Sequence, residues 1–275
     1  MTAILEGPGG VAPCLRVEGM TVSFGGVQAV NNLTLAVPAG QVLSVIGPNG
    51  AGKTTVLNAI SGFVRCSGSI FFKGIDLAKE PAWRRAELGI GRTFQNLQLF
   101  GSLSVLENVV IGAHTRQRVG IPASMLHWGW ARNEDNRARQ AAKELLEQVG
   151  LAADMSKPAD SLPLASQKLL SIARALAPSP RLLLLDEPAA GMVGEAMEEL
   201  SRLILNLSRD RGLSVMLVEH HMGLVMTVSD SIAVMNQGQL LAQGDPASIQ
   251  EHPEVISAYL GTGQTDEQDP VVRFS

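Results

Sequence analysis

Residues 47–55 read Gly47-Pro48-Asn49-Gly50-Ala51-Gly52-Lys53-Thr54-Thr55. The run meets the pattern G-x-x-x-x-G-K-[ST] in full through Gly47, Gly52, Lys53 and Thr54. Its surroundings complete the reading. Residues 42–46 ahead of it are an apolar run, predicted as a buried strand, and residues 54–60 behind it are predicted as a helix. Strand, Gly-rich turn and helix start together make a cradle for phosphate. Glycines let backbone N–H groups converge on phosphate oxygens with no Cβ in the way. The helix start adds partial positive charge. Lys53 is placed to reach β- and γ-phosphates, and Thr54 offers a hydroxyl to Mg²⁺. A Gly-rich turn that meets the pattern by chance is the plain alternative, and the flanking strand and helix argue against it.

A second apolar run, residues 181–185, ends in Asp186-Glu187-Pro188. Ligands of open α/β sheets gather at the carboxyl ends of strands. Asp186 is therefore expected to hold Mg²⁺ through a water, and Glu187 to act as general base on the attacking water. On its own the segment could be a solvated acidic turn; beside a phosphate cradle it reads as catalytic.

Further strands are predicted at 214–218, ending in Glu219-His220, and at 232–235. Residues 22–37 alternate and carry Gly25, Gly26, Asn31 and Asn32, which predicts short antiparallel strands. Residues 138–149 have helical periodicity with mixed charge. The fold class is α/β: a mostly parallel sheet with helices on both faces, a small antiparallel β part, and a helical lobe. One domain is expected over 15–262. Its nucleotide-binding core takes 15–97 and 166–245, its lobe 98–165. Residues 1–14 and 263–275 are read as a leader and a polar tail.

The 275 residues are 45% hydrophobic and 17% charged, which suits a packed core rather than disorder. A net charge of −4 argues against a nucleic-acid partner. Cys14 and Cys66 form no CxxC pair, so a disulfide framework or cysteine zinc site is not expected. No run approaches 18 uncharged apolar residues and the start lacks a secretory pattern, so any membrane role is expected through partners.

With GPNGAGKTT, RTFQN at 92–96, SIARAL at 171–176, LLLLDEPAAG at 182–191 and VEH at 218–220, the sequence resembles the ATP-binding subunits of ABC transporters. FGGVQAVNNLTL, GIGRTFQNLQLF, VEHHMGLVM and QGDPASIQEHPEVISAYLG are most similar to the larger ATPase of branched-chain (hydrophobic) amino acid importers. ATPases of urea and short-chain amide importers, and of lipopolysaccharide export, are related. The resemblance implies ATP and Mg²⁺ as ligands, bound across 47–55. It implies Phe24 stacking on adenine, Gln95 completing the Mg²⁺ and water shell, and His220 touching the γ-phosphate. The plainer readings are a core Phe24, a loop amide at Gln95 and a capped strand end at His220, and the place of His220 after the third strand argues against the last. His221 stands where relatives carry Asp and is given no role.

The partners implied are transmembrane permease subunits, a second ATPase subunit in a head-to-tail dimer, and indirectly a periplasmic binding protein. The place implied is the cytoplasmic face of the inner membrane, peripherally. Leu97, Leu99, Phe100 and Leu103 would line the groove for a permease helix. Trp128 and Trp130 could meet the permease or headgroups, or pack internally. Two departures stand out. The family signature L-S-x-G-Q reads Leu162-Pro163-Leu164-Ala165-Ser166 here, with a helix expected from about Ser166. Val193 replaces an Asn or Asp. An intact site of its own and a weakened contribution to the other site point to a heterodimer. A lipid or lipopolysaccharide exporter, a soluble non-transport ATPase and a nucleotide-binding regulator remain as other readings.

Overall fold

A computed structural model describes residues 12–114 and 128–260. Strands β1 (Leu15–Phe24) and β2 (Val27–Val37) form a hairpin turning at Gly25-Gly26, and β3 (Val42–Ile46) leads into helix α1 (Lys53–Ile60). Next come β4 (Ser67–Phe72), β5 (Ile75–Asp76), α2 (Ala82–Leu88) and β6 (Ile90–Arg92). The lobe holds α3 (Val105–His114) and α4 (Trp128–Gln148) and leads into α5 (Leu164–Leu176). The chain then alternates β7 (Leu182–Asp186), α6 (Glu195–Arg209), β8 (Ser214–Val218), α7 (Met222–Val228) and β9 (Ser231–Asn236). It closes with β10 (Gln239–Gly244), α8 (Pro246–Gln250) and α9 (Pro253–Leu260).

Two sheets result. The larger has the order β10-β9-β3-β8-β7-β6, parallel except for β10; the smaller, β2-β1-β4-β5, is antiparallel. Strands β3, β7 and β8 are buried along their whole length, which is why they read as unbroken apolar runs rather than alternating ones. Their successive side chains still point to opposite faces. Val42, Leu183, Leu185, Val215 and Leu217 join the core under α5, α6 and the lobe. Leu43, Val45, Leu182, Leu184, Met216 and Val218 face α1 and the antiparallel sheet. Helices thus lie on both faces, and α1 shares its face with the small sheet.

Helix α6 shows why the helical layer forms. Leu200, Leu203, Ile204 and Leu207 recur at helical spacing and are the buried apolar side chains, while the acidic first turn faces water. Val105, Val109, Ala142, Leu146 and Val149 from the lobe join the same core, so the lobe is packed onto the sheet and not tethered beside it. Helix α5 starts two residues before the expected Ser166, with Pro163 as its N-cap residue. A proline here pre-sets φ and forfeits no helical bond, since the first N–H groups of a helix have no partner within it. Residues 1–11 of the expected leader, the expected tail at 263–275 and the side chains of Trp128 and Trp130 lie outside the described residues.

Candidate functional site

Strands β3, β8, β7 and β6 are neighbours and parallel, so their carboxyl ends fall on one edge. That edge carries, in order, the phosphate loop, Glu219-His220, Asp186-Glu187 and the segment that leads to Gln95. Strand β6 has only three residues and was not part of the sequence reading. It supplies the docking strand that brings Gln95 in.

The loop's glycines are required by space. A Cβ on Gly47 would lie 2.1 Å from the Met235 carbonyl, and one on Gly52 2.3 Å from that of Ala29. Gly52 also has φ +96 at the start of α1. The second contact sets the loop against β2, on the hairpin that carries Phe24. Phe24 is 50% exposed, so it is available for a base to stack on and is not a core residue. Asn49 and Gly50 are exposed at the loop tip, Pro48 is half-buried, Ala51 is buried and Thr55 is half-buried in the first helical turn.

Lys53 is buried, and its ammonium donates to the carbonyls of Gly47 at 2.7 Å and Pro48 at 3.0 Å. Burial pulls its pKa down, and the carboxylates of Glu187 and Asp186 pull it back up. Thr54 Oγ1 donates to Asp186 Oδ1 at 3.2 Å. The other oxygen, Oδ2, accepts from Arg92 Nη2 at 3.4 Å, in a pair with both side chains buried. Burial pushes the Asp186 carboxyl up, opposed by Arg92 and the Thr54 hydroxyl. Gln95 Nε2 donates to Glu187 Oε2 at 3.2 Å. Phosphate loop, Asp186, Glu187 and Gln95 therefore stand together, and His220 is exposed at the end of β8 beside them.

The donor set suits Mg²⁺. This ion takes oxygen ligands, keeps several waters and needs only one or two carboxylates beside substrate phosphates. A threonine hydroxyl, one aspartate and an amide oxygen from Gln95 fit that pattern. No cluster of three or more His, Cys, Asp or Glu able to hold a metal occurs among the described residues.

Glu187 has φ +48, a left-handed backbone rarely adopted by a non-glycine residue. Three residues around it have no role assigned from the sequence. Arg92, facing the rings of Phe63 and Phe94, neutralises Asp186. Lys168 of α5 donates to the Glu187 carbonyl at 3.1 Å. Glu219 is fully buried; its Oε1 accepts from the Ala189 N–H at 2.7 Å and its Oε2 from the His220 N–H at 3.0 Å. The only signal available in the sequence was a charge inside an otherwise apolar segment. His221, left without a role, is the N-cap of α7: its Nδ1 accepts from the Leu224 N–H at 3.3 Å.

A cleft of about 530 Å³ opens between core and lobe, lined by Phe63, Trp83, Phe94, Phe100, Ile111 and Arg174 among others. Of the four residues expected there, only Phe100 lines it. Leu97 borders Gln95 and Glu187, Leu99 packs on the helical core, and Leu103 is half-buried.

Comparison with known proteins agrees with this geometry. Residues 30–190 match the ABC transporter family model, and residues 239–265 match that of the branched-chain amino acid ATP-binding cassette transporters. The chain is 40% identical over 250 residues to the high-affinity branched-chain amino acid transport ATP-binding protein BraF of Pseudomonas aeruginosa, spanning 90% of this chain and 98% of the relative. The same identity and coverage hold for the corresponding protein LivG of Escherichia coli K12. Among solved structures, the ADP conformation of an ATP-binding cassette of an ABC transporter superposes with a TM-score of 0.79 at 29% identity, covering 91% of this chain and 100% of that one. The chain belongs to the ABC transporter family of ATP-binding cassettes.

Proposed function

We propose that this chain is the ATP-hydrolysing subunit of an ABC importer for branched-chain or other hydrophobic amino acids, working peripherally on the cytoplasmic face of the membrane. The observation that carries the hydrolytic reading is the convergence of Lys53, Thr54, Asp186, Gln95 and Glu187 at one sheet edge. The loop N–H groups and Lys53 grip the phosphates, with Lys53 exchanging its loop carbonyls for phosphate oxygens. Phe24 holds the adenine. Thr54, Asp186 and Gln95 would hold Mg²⁺, which supplies charge neutralisation on the phosphate oxygens. Glu187 takes the proton of the attacking water, Gln95 fixes the carboxylate, and His220 reaches the γ-phosphate.

The cargo assignment rests on what the similar proteins are named for, on the match at residues 239–265 and on the motifs quoted above. No helix among the described residues is long and apolar enough to cross a membrane, and the proposed route for force is through permease subunits. A cytoplasmic helix of the permease is the occupant that fits the cleft lined by Phe63, Trp83, Phe100 and Ile111, which are otherwise exposed apolar side chains between core and lobe.

The second ATPase is proposed to be a different chain. Pro163 has no hydroxyl and no N–H to give, and Ala165 places a Cβ where the family has glycine. Leu164 is 53% and Val193 81% exposed, an apolar surface beside that helix start which a partner subunit would cover. Reconstitution of the chain with its permeases and a second ATPase tests the whole reading. ATP-dependent uptake of labelled leucine or isoleucine is expected; ATP turnover without uptake of any hydrophobic amino acid would reject the cargo and leave the engine.

A further inference from the structure

Lys168 sits on α5 and is only 9% exposed. A buried ammonium needs partners, because an uncompensated charge away from water is strongly unfavourable. Its hydrogen bond goes to a main-chain oxygen, that of Glu187 at 3.1 Å. The charges acting on it are the carboxylates of Glu219 and Glu187. Lys168 is therefore a buried cation that donates to the main chain at the end of β7 and feels the negative charge of Glu187 and Glu219, at the ends of adjacent strands β7 and β8.

The residue it grips is the one with unusual backbone. A left-handed conformation at a non-glycine residue is unfavourable and persists only where the surroundings over-determine it. At Glu187 they do. Its N–H donates to Val218 O at 2.9 Å, and its carbonyl takes Lys168 and, at 3.3 Å, the N–H of Ala190. The next turn is pinned by Glu219 through Ala189. Among the described residues, the Gln95 amide is the hydrogen-bond partner of the Glu187 carboxylate itself. The backbone on which that carboxylate rides is thus set by α5 and β8, not by the phosphate loop.

We propose that Lys168 is a positioning residue for hydrolysis: its ammonium holds the Glu187 carbonyl, and so the left-handed turn, in the orientation that directs the Glu187 carboxylate at the attacking water. This rests on Glu187 being the base, as proposed above. Lys168 lies outside the phosphate grip, so ATP binding does not depend on it.

The test uses the full chain in its assembled transporter. Lys168→Met should lower kcat about 10- to 100-fold, the scale expected when a reacting group is misplaced by about 1 Å, with KM for ATP and labelled-ATP affinity within about two-fold. Lys168→Arg, which keeps a cation with donors, should recover most of the rate. The double variant Lys168→Met with Glu187→Gln should turn over no slower than Glu187→Gln alone, since a positioning group has nothing left to position. Should Lys168→Met fail to assemble, Lys168→Gln is expected to give the same kcat loss at an unchanged melting temperature. The inference is overturned by a Lys168→Met or Lys168→Gln rate within two-fold of the unaltered chain. It is also overturned by equal losses in kcat and ATP affinity with a lowered melting temperature, which mark a packing role. Near-normal turnover in Glu187→Gln is a different failure: it removes the base assignment itself.

Discussion

Gln95 Nε2 and Glu187 Oε2 share a hydrogen bond of 3.2 Å, joining the segment after β6 to the turn after β7. The two residues are 92 positions apart in the chain and follow neighbouring strands of one sheet. The bond leaves the other carboxylate oxygen for water, which is the arrangement a general base needs.

Replacing Glu187 by Gln keeps the shape and removes the base. Turnover should fall about 10²- to 10⁴-fold, the usual contribution of general acid–base catalysis. Affinity for ATP should change by less than about two-fold, because the phosphate grip lies elsewhere. Steady-state hydrolysis together with labelled-ATP binding decides this; turnover near that of the unaltered chain would reject Glu187 as the main base.

Lys53→Ala removes the ammonium now bonded to Gly47 and Pro48. A hydrogen bond to a charged group contributes roughly 1.5–3 kcal/mol, so ATP affinity should weaken by about 10- to 100-fold. Equilibrium binding is the measurement, and unaltered affinity would remove Lys53 from the phosphate site.

Arg85 is a stability prediction. It is buried and donates to the carbonyls of Ala59, Ile60, Leu77 and Glu80 at 2.7–2.8 Å. Two of these end α1, the helix whose start forms the phosphate loop. Arg85→Ala strands four acceptors and should lower stability by about 2–4 kcal/mol. Calorimetry should show a melting temperature about 5–15 °C lower. A shift under about 2 °C would mean water replaces the guanidinium without loss.

The degenerate helix start at Pro163 predicts unequal sites in the proposed heterodimer. ATP on this chain would meet a complete set of groups, and ATP on the partner would face Pro163 and Ala165. Loss of one well-placed donor slows such a step roughly 10²- to 10³-fold. Glu187→Gln in this chain should therefore abolish most turnover of the complex, while the equivalent change in the partner should leave much of it. Equal losses, or the reverse order, would reject the asymmetry. Pro163→Ser with Ala165→Gly should raise hydrolysis at the partner's site.

Local spacing by itself determined the phosphate loop, the strands β3, β7 and β8, and the candidates Lys53, Thr54, Asp186 and Glu187. Backbone geometry over a few residues is enough to specify a Gly-rich turn between strand and helix, and burial on both faces leaves an unbroken apolar run. The roles of Phe24, Gln95 and His220 came from family resemblance, because a lone aromatic, amide or imidazole carries no spacing signal. Only the tertiary structure decided which charges meet. Arg92 reaches Asp186 across 94 positions, Ala189 reaches Glu219 across 30, and Lys168 reaches Glu187 from another element. Short β6, with three residues, has too little pattern to read and exists because β7 offers it an edge. Such pairings depend on which strands lie side by side, and that order follows from packing the whole core rather than from any segment of it.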